Sequence, residues 1–190
     1  MSFNPDLLAL LELCAGWRES CSVLDGGCGK AETSRWLARR GCHVTGIDLN
    51  LALPPNEFIE ILDVAPGTLR LVKGDLNDMS FDAPFHAVAL FGVLHYAGSA
   101  EKVESLLQRL DGWLSNDGLA LLTWITNDIP HDDPSVYLPP KASVTGSMQT
   151  LNYSHLRYWE KIVEHSHGGA AHRHRIAYSA WVKGGVETPS

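Results

Sequence analysis

The sequence lacks a surplus of basic residues and lacks any long apolar run. It has 15 Lys and Arg against 22 Asp and Glu, which gives a formal net charge of -7. Nucleic acids and anionic membranes are bound by clustered Lys and Arg, and here only Arg39-Arg40 and the Arg173/Arg175 pair lie close together. No apolar run approaches the roughly 18 residues that cross a bilayer, and no signal peptide precedes the first helix. We therefore expect a cytoplasmic protein that binds neither nucleic acid nor membrane.

Cysteine is scarce and is confined to the first quarter of the chain. The four cysteines are Cys14, Cys21, Cys28 and Cys42, and none of them stands in a C-x-x-C pair. This spacing predicts free thiols in a reducing compartment rather than disulfides or a metal site. A length of 190 residues with 45% hydrophobic content predicts one domain with a sizeable core. We assign that domain to residues 1–183 and a flexible tail to residues 184–190.

Strand and helix patterns alternate along the first 125 residues. Strands are predicted at 22–25, 43–48, 69–72, 85–91 and 119–125. Helices are predicted at 5–16, 32–40, 57–64 and 100–114. The segment 85–91 is almost continuously apolar, which is typical of a strand buried on both faces of a parallel sheet. The alternation predicts an α/β fold, with helices on both sides of a doubly wound, mostly parallel sheet.

The last third of the chain breaks this alternation. Residues 127–150 are rich in Pro, Asp, Ser and Thr and show no period, so we predict a long loop. Segments 159–167 and 172–182 flank a Gly-Gly-Ala-Ala turn and predict an antiparallel hairpin.

Four histidines flank that hairpin turn: His165, His167, His172 and His174. Each pair shares one face of its strand, and all four share a face if His167 opposes His172. Such imidazoles could bind a metal ion, steer an anion or relay a proton. Because no carboxylate or cysteine completes a metal site, we favour a solvated hairpin tip.

The first strand ends at Asp25 and runs into a glycine-rich turn before a helix. The second strand ends in Asp48, at about the distance downstream where an acid holds ribose hydroxyls. Nicotinamide dinucleotides need a third glycine so that their pyrophosphate can approach the helix. Counted from Gly27, the sixth position is Glu32, whose carboxylate would repel a pyrophosphate. S-adenosylmethionine (SAM) is cationic at sulfur and has no phosphate, so this turn favours SAM.

In these residues the chain resembles the class I SAM-dependent methyltransferases, whose first motif is D-x-G-C-G-x-G. Here the motif runs from Asp25 to Ala31, and Ala31 replaces the last glycine. We expect this replacement to narrow the space near the methionine portion of the cofactor. The resemblance covers about residues 20–125. It implies a seven-stranded, Rossmann-like sheet with a C-terminal antiparallel hairpin.

The resemblance also implies which residues bind the cofactor. They lie in the motif turn and directly after the second, third and fourth strands: Asp25, Gly27, Cys28, Gly29, Asp48, Leu49, Asp75, Leu76, Phe91 and Gly92. Asp48 would bridge the ribose hydroxyls, and Asp75 with its neighbouring amide would lie against the adenine. Taken alone, either acid is equally well explained as a helix cap or turn residue. Cys28 is interpreted as a packing residue, because no base is paired with it. The expected product is S-adenosylhomocysteine (SAH).

The C-terminal stretch around Tyr158 to Glu160 looks like small-molecule methyltransferases of the tellurite-resistance type. Members of that group methylate soft nucleophiles such as tellurium or selenium oxyanions, which need no strong general base. No catalytic base is identified in the sequence, and His95, Tyr96 and His131 are catalytic candidates by position alone. We predict direct methyl displacement on a small molecule, a metabolite or an oxyanion.

Two alternatives remain open. A regulatory or interaction protein could bind SAM without turnover, since Ala31 departs from the motif and no base is identified. A nucleic-acid methyltransferase is disfavoured by the acidity of the chain. It is also disfavoured by Phe91-Gly92-Val93-Leu94, which stands where amino-methylating DNA enzymes have an Asp-Pro-Pro-Tyr-like motif. The pattern specifies neither the methyl acceptor nor the oligomeric state.

Overall fold

The computed structural model describes residues 3–52, 58–61, 64–129, 136–167 and 170–184. At residues 58, 60–61, 165–167 and 170–172 it describes the backbone but not the side chains. The strands within these ranges are Ser22–Gly26 (β1), His43–Asp48 (β2), Phe58–Ile61 (β3), Thr68–Lys73 (β4), Phe85–Phe91 (β5), Leu114–Ile125 (β6), Tyr153–His167 (β7) and Ala170–Lys183 (β8). The α-helices are Pro5–Ala15 (α1), Glu32–Ala38 (α2), Ala100–Trp113 (α3) and Lys141–Thr150 (α4). Two 3-10 turns, Leu76–Asp78 and Leu94–Tyr96, follow β4 and β5.

In the described residues the strands form one sheet in the order β3-β4-β2-β1-β5-β6-β8-β7. The pairings among β4, β2, β1, β5 and β6 are all parallel. β3 is antiparallel to β4, and β8 is antiparallel to both β6 and β7. The predicted Rossmann-like fold with a C-terminal hairpin is confirmed. The described sheet has eight strands rather than the expected seven, because β3 adds one edge.

The core has two layers because successive residues of a strand face opposite sides of the sheet. Val23, Ala87 and Leu121 are buried on the side covered by α1 and α2. Leu24 and Val88 are buried on the side covered by α3 and α4. A strand buried on both faces must be apolar throughout, which is why β5 reads as one continuous apolar run.

Local capping sets the ends of the covering helices. The Asn4 side chain accepts a hydrogen bond from the Asp6 amide (2.8 Å), and Gly16 ends α1, as the sequence predicts. The Ser99 hydroxyl accepts from the Lys102 amide (3.3 Å) at the start of α3. The apolar stripe of α3 is buried as predicted, at Val103, Leu106, Leu107, Leu110 and Trp113.

The prediction of a helix over residues 57–64 is wrong where the structure describes that segment. Phe58–Ile61 is a strand, and Ile59 lies opposite Leu71 of β4. Pro54 and Pro55 suggested a helix start, but a four-residue apolar segment does not distinguish helix from strand. An unpaired edge of the sheet is available beside β4, and its ladder hydrogen bonds favour the strand.

The prediction of a continuous loop over residues 127–150 is also wrong. Residues 141–150 form α4, whose Val144 and Met148 are buried among the core residues beneath α3. These two residues are one helical turn apart, so a single short apolar face attaches the helix. Residues 130–135 of the predicted loop lie outside the described residues.

The C-terminal hairpin is longer than predicted. β8 pairs with β6 from Val182 to Ile176, and past that point β7 and β8 continue as a two-stranded ribbon. This ribbon extends from the edge of the sheet where the parallel strands end. Within the described ranges, none of the helices has the length and apolarity needed to cross a membrane.

Candidate functional site

A cleft of about 790 Å³ opens at the carboxyl ends of the parallel strands. Its walls are the segments that follow β1, β2, β4 and β5, together with the first turns of α3. Ligands of open α/β sheets bind at this edge, and small-molecule sites commonly enclose about 300–1,000 Å³. Six residues predicted from the sequence line the cleft: Gly27, Asp48, Leu49, Asp75, Leu76 and Gly92. Four others, Asp25, Cys28, Gly29 and Phe91, lie next to the cleft without lining it.

The glycine-rich turn after β1 is fastened to the end of β2. The amides of Gly27 and Cys28 both donate to the Ile47 carbonyl, at 2.8 and 3.0 Å. Gly27 has φ +70°, and a Cβ at this position would lie 2.6 Å from Cγ2 of Val93. Only glycine combines this left-handed backbone with such a close approach, so the turn presents main chain to the cleft.

Ala31 has a left-handed backbone, with φ +58°. This conformation explains why the related motif has glycine at the position. The Ala31 side chain is buried beneath the turn and is not among the residues that line the cleft. The expected narrowing near the methionine portion of the cofactor stays a prediction.

Asp48 joins the turn that follows β1 to the loop that follows β2. Its Oδ2 accepts from the Gly29 amide at 2.8 Å, and its Oδ1 accepts from the Asn50 amide at 2.7 Å. Each carboxylate oxygen has a further lone pair that can accept from a ligand hydroxyl. The same carboxylate is thus a turn residue and a preset acceptor for a pair of hydroxyls.

Asp75 caps the short 3-10 turn that follows β4. Its Oδ1 accepts from the amide of Asn77 (2.8 Å) and from the Asn77 side-chain Nδ2 (2.9 Å). This is the turn role that the sequence left open. Both bonds use Oδ1, so Oδ2 can accept from an amino group in the cleft.

Asp25 lies beneath the turn and is 2% exposed. Its Oδ2 accepts a 2.5 Å hydrogen bond from the Ser34 hydroxyl of α2. Burial raises the pKa of Asp25 from 3.8 to about 6, the Ser34 hydrogen bond opposes this rise, and the charge of Asp48 adds to it. Asp25 therefore titrates close to neutral pH.

Cys28 is a buried thiol within the turn. Burial, together with the charges of Asp25 and Asp48, raises its pKa, so the thiol stays protonated at neutral pH. A nucleophilic cysteine needs the opposite shift. The packing role predicted for Cys28 fits this environment.

The structure separates the three catalytic candidates. Tyr96 lies on the rim of the cleft with 78% of its surface exposed. His95 is buried and does not line the cleft. His131 lies outside the described residues. Of the two candidates that the structure describes, Tyr96 is therefore the one placed where a ligand could contact it.

The backbone register of the hairpin differs from the one considered above. His165 pairs with His172, and His167 pairs with Ala170, so His167 does not oppose His172. His174 pairs with Val163 and its side chain is buried. Among the described side chains, no group of three or more His, Cys, Asp or Glu is arranged to hold a metal ion.

Sequence reasoning missed several residues that line the cleft: Ile47, Asn50, Asn77, Lys102 and Ser105. Asn50 and Asn77 each stand two residues after a predicted acid, a spacing typical of Asx turns, so a signal was present. Lys102 and Ser105 reach the cleft only because α3 packs beside the 3-10 turn after β4. That placement depends on tertiary structure and has no local signal.

The donor and acceptor groups of the cleft fit SAM better than a phosphorylated nucleotide. Two carboxylates, Asp48 and Asp75, line it together with the single cation Lys102 among the described lining residues. Carboxylates suit a hydroxyl pair, an amino group and a positive sulfur, whereas they repel a pyrophosphate. Gly27, which lines the cleft, packs its main chain so closely against Val93 that a Cβ would collide with that side chain.

Comparisons with known proteins agree with this geometry. A family model described as a methyltransferase domain matches residues 23–118, just over half of the chain. The fold is shared with TehB from Haemophilus influenzae (17% identity, TM-score 0.73, covering 96% of this chain and 63% of TehB). It is also shared with a SAM-dependent methyltransferase from Methanosarcina mazei (14% identity, TM-score 0.72, covering 96% of this chain and 99% of that protein). A third structure is magnesium protoporphyrin IX methyltransferase from Synechocystis PCC 6803 with bound SAM. It is 18% identical in sequence, with a TM-score of 0.64, and the match covers 93% of this chain and 76% of that protein.

These identities establish a common fold and no more, and the chain spans less than two thirds of the length of TehB. A search of curated sequences finds no significant match. The match to the family model, the strand order and the acid-lined cleft agree with one another. This chain belongs to the class I SAM-dependent methyltransferases.

Proposed function

We propose that this protein transfers the methyl group of SAM to a small molecule by direct displacement. The observation that carries the proposal is the cleft of about 790 Å³, which is walled by strand ends and contains preset carboxylates. SAM supplies a methyl group made electrophilic by its positively charged sulfur. The chain itself supplies binding, orientation and exclusion of water.

We assign the cofactor contacts as follows. Asp48 holds the ribose hydroxyls, because two amides already fix its carboxylate at the end of β2. Asp75 accepts from the adenine amino group through Oδ2, and the turn at Gly27 lies against the methionine portion. Asp25, Cys28 and Gly29 support that turn, while Leu49, Leu76, Phe91 and Gly92 shape the surrounding wall. Such prior orientation lowers the barrier to displacement by removing the need to align the reactants.

No general base is required by this arrangement. The two carboxylates of the cleft are assigned to the cofactor, and Tyr96 on the rim serves to contact the acceptor. An acceptor with its own nucleophilic lone pair reacts once it is aligned with the methyl group and shielded from water. We therefore expect an oxyanion or another small metabolite that is already nucleophilic at neutral pH.

The described basic residues support a small acceptor rather than a nucleic acid. Arg173 pairs with Glu164 at 3.3 Å, and Arg175 pairs with Glu160 at 3.2 Å. Arg40 lies over the Trp36 ring at 3.5 Å. The basic clusters found in the sequence are therefore engaged within the fold, and phosphate binding needs an accessible basic surface. The structurally similar enzyme from Synechocystis is named for a small-molecule substrate, magnesium protoporphyrin IX.

A cytoplasmic location forms part of the proposal. All four cysteines are unpaired and buried. Unpaired cysteines are typical of proteins in reducing compartments.

Methyl transfer from labelled SAM tests the proposed function. One panel contains metabolites and oxyanions, including tellurite and selenite, and a second contains DNA and RNA. We expect label in the small-molecule panel and none in the nucleic acids. Label in nucleic acid alone would overturn the proposal. Tight SAM binding with no transfer to a whole metabolite extract would favour the regulatory alternative.

The Asp48→Ala variant tests the placement of the cofactor. Loss of the ribose partner should weaken SAM binding by about 1–3 kcal/mol in isothermal titration. The matched control is Asp82→Ala, which removes an exposed acid outside the cleft and should leave the affinity unchanged. Equal affinities for the two variants would count against the assigned site.

A further inference from the structure

A small buried polar cluster lies directly beneath the cofactor turn. The Asp25 carboxylate and the Ser34 hydroxyl, 2.5 Å apart, are 2% and 0% exposed. Gly46 of β2 is the register partner of Asp25. A Cβ at Gly46 would lie 2.9 Å from Ser34 Oγ and 3.1 Å from Cys28 Sγ. The cluster is therefore closely packed, and within it the Ser34 hydroxyl donates a hydrogen bond to the Asp25 carboxylate.

The Ser34 hydroxyl favours the ionised form of Asp25. A hydroxyl bonds more strongly to a carboxylate than to a neutral carboxyl group, and exclusion from water increases the difference. The other titratable groups that face Asp25 are Asp48 on β2, Cys28 in the turn and Cys14 on α1. The pKa of both thiols is raised, for Cys14 by its hydrogen bond with Cys21 and by burial, so both are neutral near pH 7. Ser34 therefore opposes mainly the effect of burial on the pKa of Asp25, to which the charge of Asp48 adds.

We propose that Ser34 is a positioning residue that keeps Asp25 ionised beneath the cofactor turn, and that the ionised Asp25 makes the site prefer SAM to SAH. Asp25 is two residues from Gly27, which lines the cleft. SAM has a positive sulfur, whereas the sulfur of SAH is neutral, so a buried negative charge nearby attracts SAM more strongly. This preference favours exchange of product for fresh cofactor. The inference depends on the cofactor position proposed above.

The sign of the pH effect follows from the pKa of Asp25, which is about 6. As pH rises through this value Asp25 ionises, so SAM affinity should rise. SAH has the same amino and carboxylate groups as SAM, so at pH 5–7, where both amino groups are protonated, the SAM-to-SAH affinity ratio reports the effect on the sulfur. Ser34→Ala removes the donor and should move the rise in this ratio upward by about one pH unit, a tenfold change in the ionisation equilibrium.

Unfolding of the cofactor-free protein gives an independent measurement. Because folding raises the pKa of Asp25, its contribution to stability is greatest below its ordinary pKa of 3.8 and is lost as pH rises through about 6. Ser34 limits that loss by stabilising the ionised form. Ser34→Ala should therefore lower the urea midpoint more at pH 8 than at pH 5. If the Ser34 hydroxyl only filled space, Ser34→Ala would lower the urea midpoint equally at pH 5 and pH 8.

Three further variants complete the test, which measures SAM and SAH affinities by titration between pH 5 and 9. Ser34→Thr retains the hydroxyl and should restore the native pH profile. Thr33→Ala removes the neighbouring hydroxyl of α2 and should leave the profile native. Asp25→Asn should make the affinity ratio independent of pH. A native ratio that does not vary with pH, or a Ser34→Ala profile that coincides with the native one, would overturn the inference.

The two proposals fail in different ways. If Asp48→Ala binds SAM normally, the cofactor position is wrong, yet the unfolding experiment still measures the coupling between Ser34 and Asp25. If Ser34→Ala does not fold, Ser34→Cys replaces the hydroxyl with a much weaker donor of similar shape. Its affinity ratio should then rise at higher pH than the native ratio, and a native profile would count against the inference.

Discussion

The cofactor turn and the C-terminal hairpin reach the same edge of the sheet, yet they are held by different kinds of interaction. Backbone amides fix the turn, through the bonds from Gly27 and Cys28 to the Ile47 carbonyl. The backbone ladder between β7 and β8 holds the hairpin as well, but its outer part adds ion pairs between long side chains, such as Arg175 with Glu160. Backbone bonds and buried packing vary little with salt, whereas exposed ion pairs are screened. We therefore expect high salt to weaken the ion pairs of the hairpin more than the backbone bonds of the turn.

The base of the hairpin differs from its outer part. Trp181 of β8 is fully buried, and its Nε1 donates a hydrogen bond to the Ser179 hydroxyl at 2.9 Å. The centroids of the Trp181 and His155 rings are 3.4 Å apart. Ile162, further out on β7, is 56% exposed. The hairpin thus contributes to the core at one end and faces solvent at the other.

Trp181→Ala should give the largest effect and would show that the hairpin base is structural. Removal of a buried Trp should lower the free energy of unfolding by about 3–5 kcal/mol, measured by urea denaturation. The control Ile162→Ala should change it by less than about 0.5 kcal/mol, because the side chain is exposed. The folded fraction of Trp181→Ala should bind SAM normally. A large loss of affinity would mean that the two regions are coupled.

Gly27→Val tests the opposite region and should abolish measurable SAM binding. The new Cβ would lie 2.6 Å from Val93, and a β-branched residue is strained at φ +70°. We expect a loss of at least about a hundredfold in affinity, or about 2.7 kcal/mol. Gly112→Val is the control, because a Cβ there meets no atom within 4 Å. A folded Gly27→Val protein with native affinity would contradict the role assigned to the turn.

Glu160→Gln should give the smallest effect and would measure the ion-pair network of the hairpin. Glu160 accepts from the Tyr158 hydroxyl at 2.6 Å and pairs with Lys141 and Arg175, each at 3.2 Å. The Tyr158 hydrogen bond, followed by the contacts with Lys141 and Arg175, lowers the pKa of Glu160. A lowered pKa stabilises the fold at neutral pH, and that contribution is lost as pH falls through the carboxylate range.

The expected cost of Glu160→Gln at pH 7 is about 0.5–1 kcal/mol in urea unfolding. The difference from the native protein should shrink at acidic pH and at high salt. A cost that is the same at pH 3 and pH 7 would mean that Glu160 acts by packing rather than by charge.

The sequence predicted the centre of the sheet well because strands buried on both faces are strongly patterned. β2 and β5 begin and end at the predicted residues. α4 was missed because its sequence, KASVTGSMQT, contains Gly and several β-branched and hydroxyl residues, and no side chain caps its start. Packing of Val144 and Met148 against the core outweighs this poor helix propensity. β3 was missed because a four-residue segment is too short for its periodicity to distinguish strand from helix.

For the site, sequence reasoning succeeded where function coincides with strand ends. Asp48 ends β2 and Asp75 stands two residues after β4, so both could be predicted from strand ends, and both line the cleft. Lys102 was missed because its position depends on the angle at which α3 crosses the sheet. The Ser34 contact was missed because only the packing of α2 against the sheet brings the hydroxyl to Asp25.

The direction of β8 has a practical consequence. Because β8 runs antiparallel to β6, it ends where β6 begins, and Lys183 there bonds to the Leu114 carbonyl at 3.2 Å. That point is about 20 Å from the cleft, the length of six or seven strand residues. A fluorophore or surface linker joined at Gly184 would therefore leave the mouth of the cleft unobstructed, and cofactor exchange could be followed on immobilised molecules.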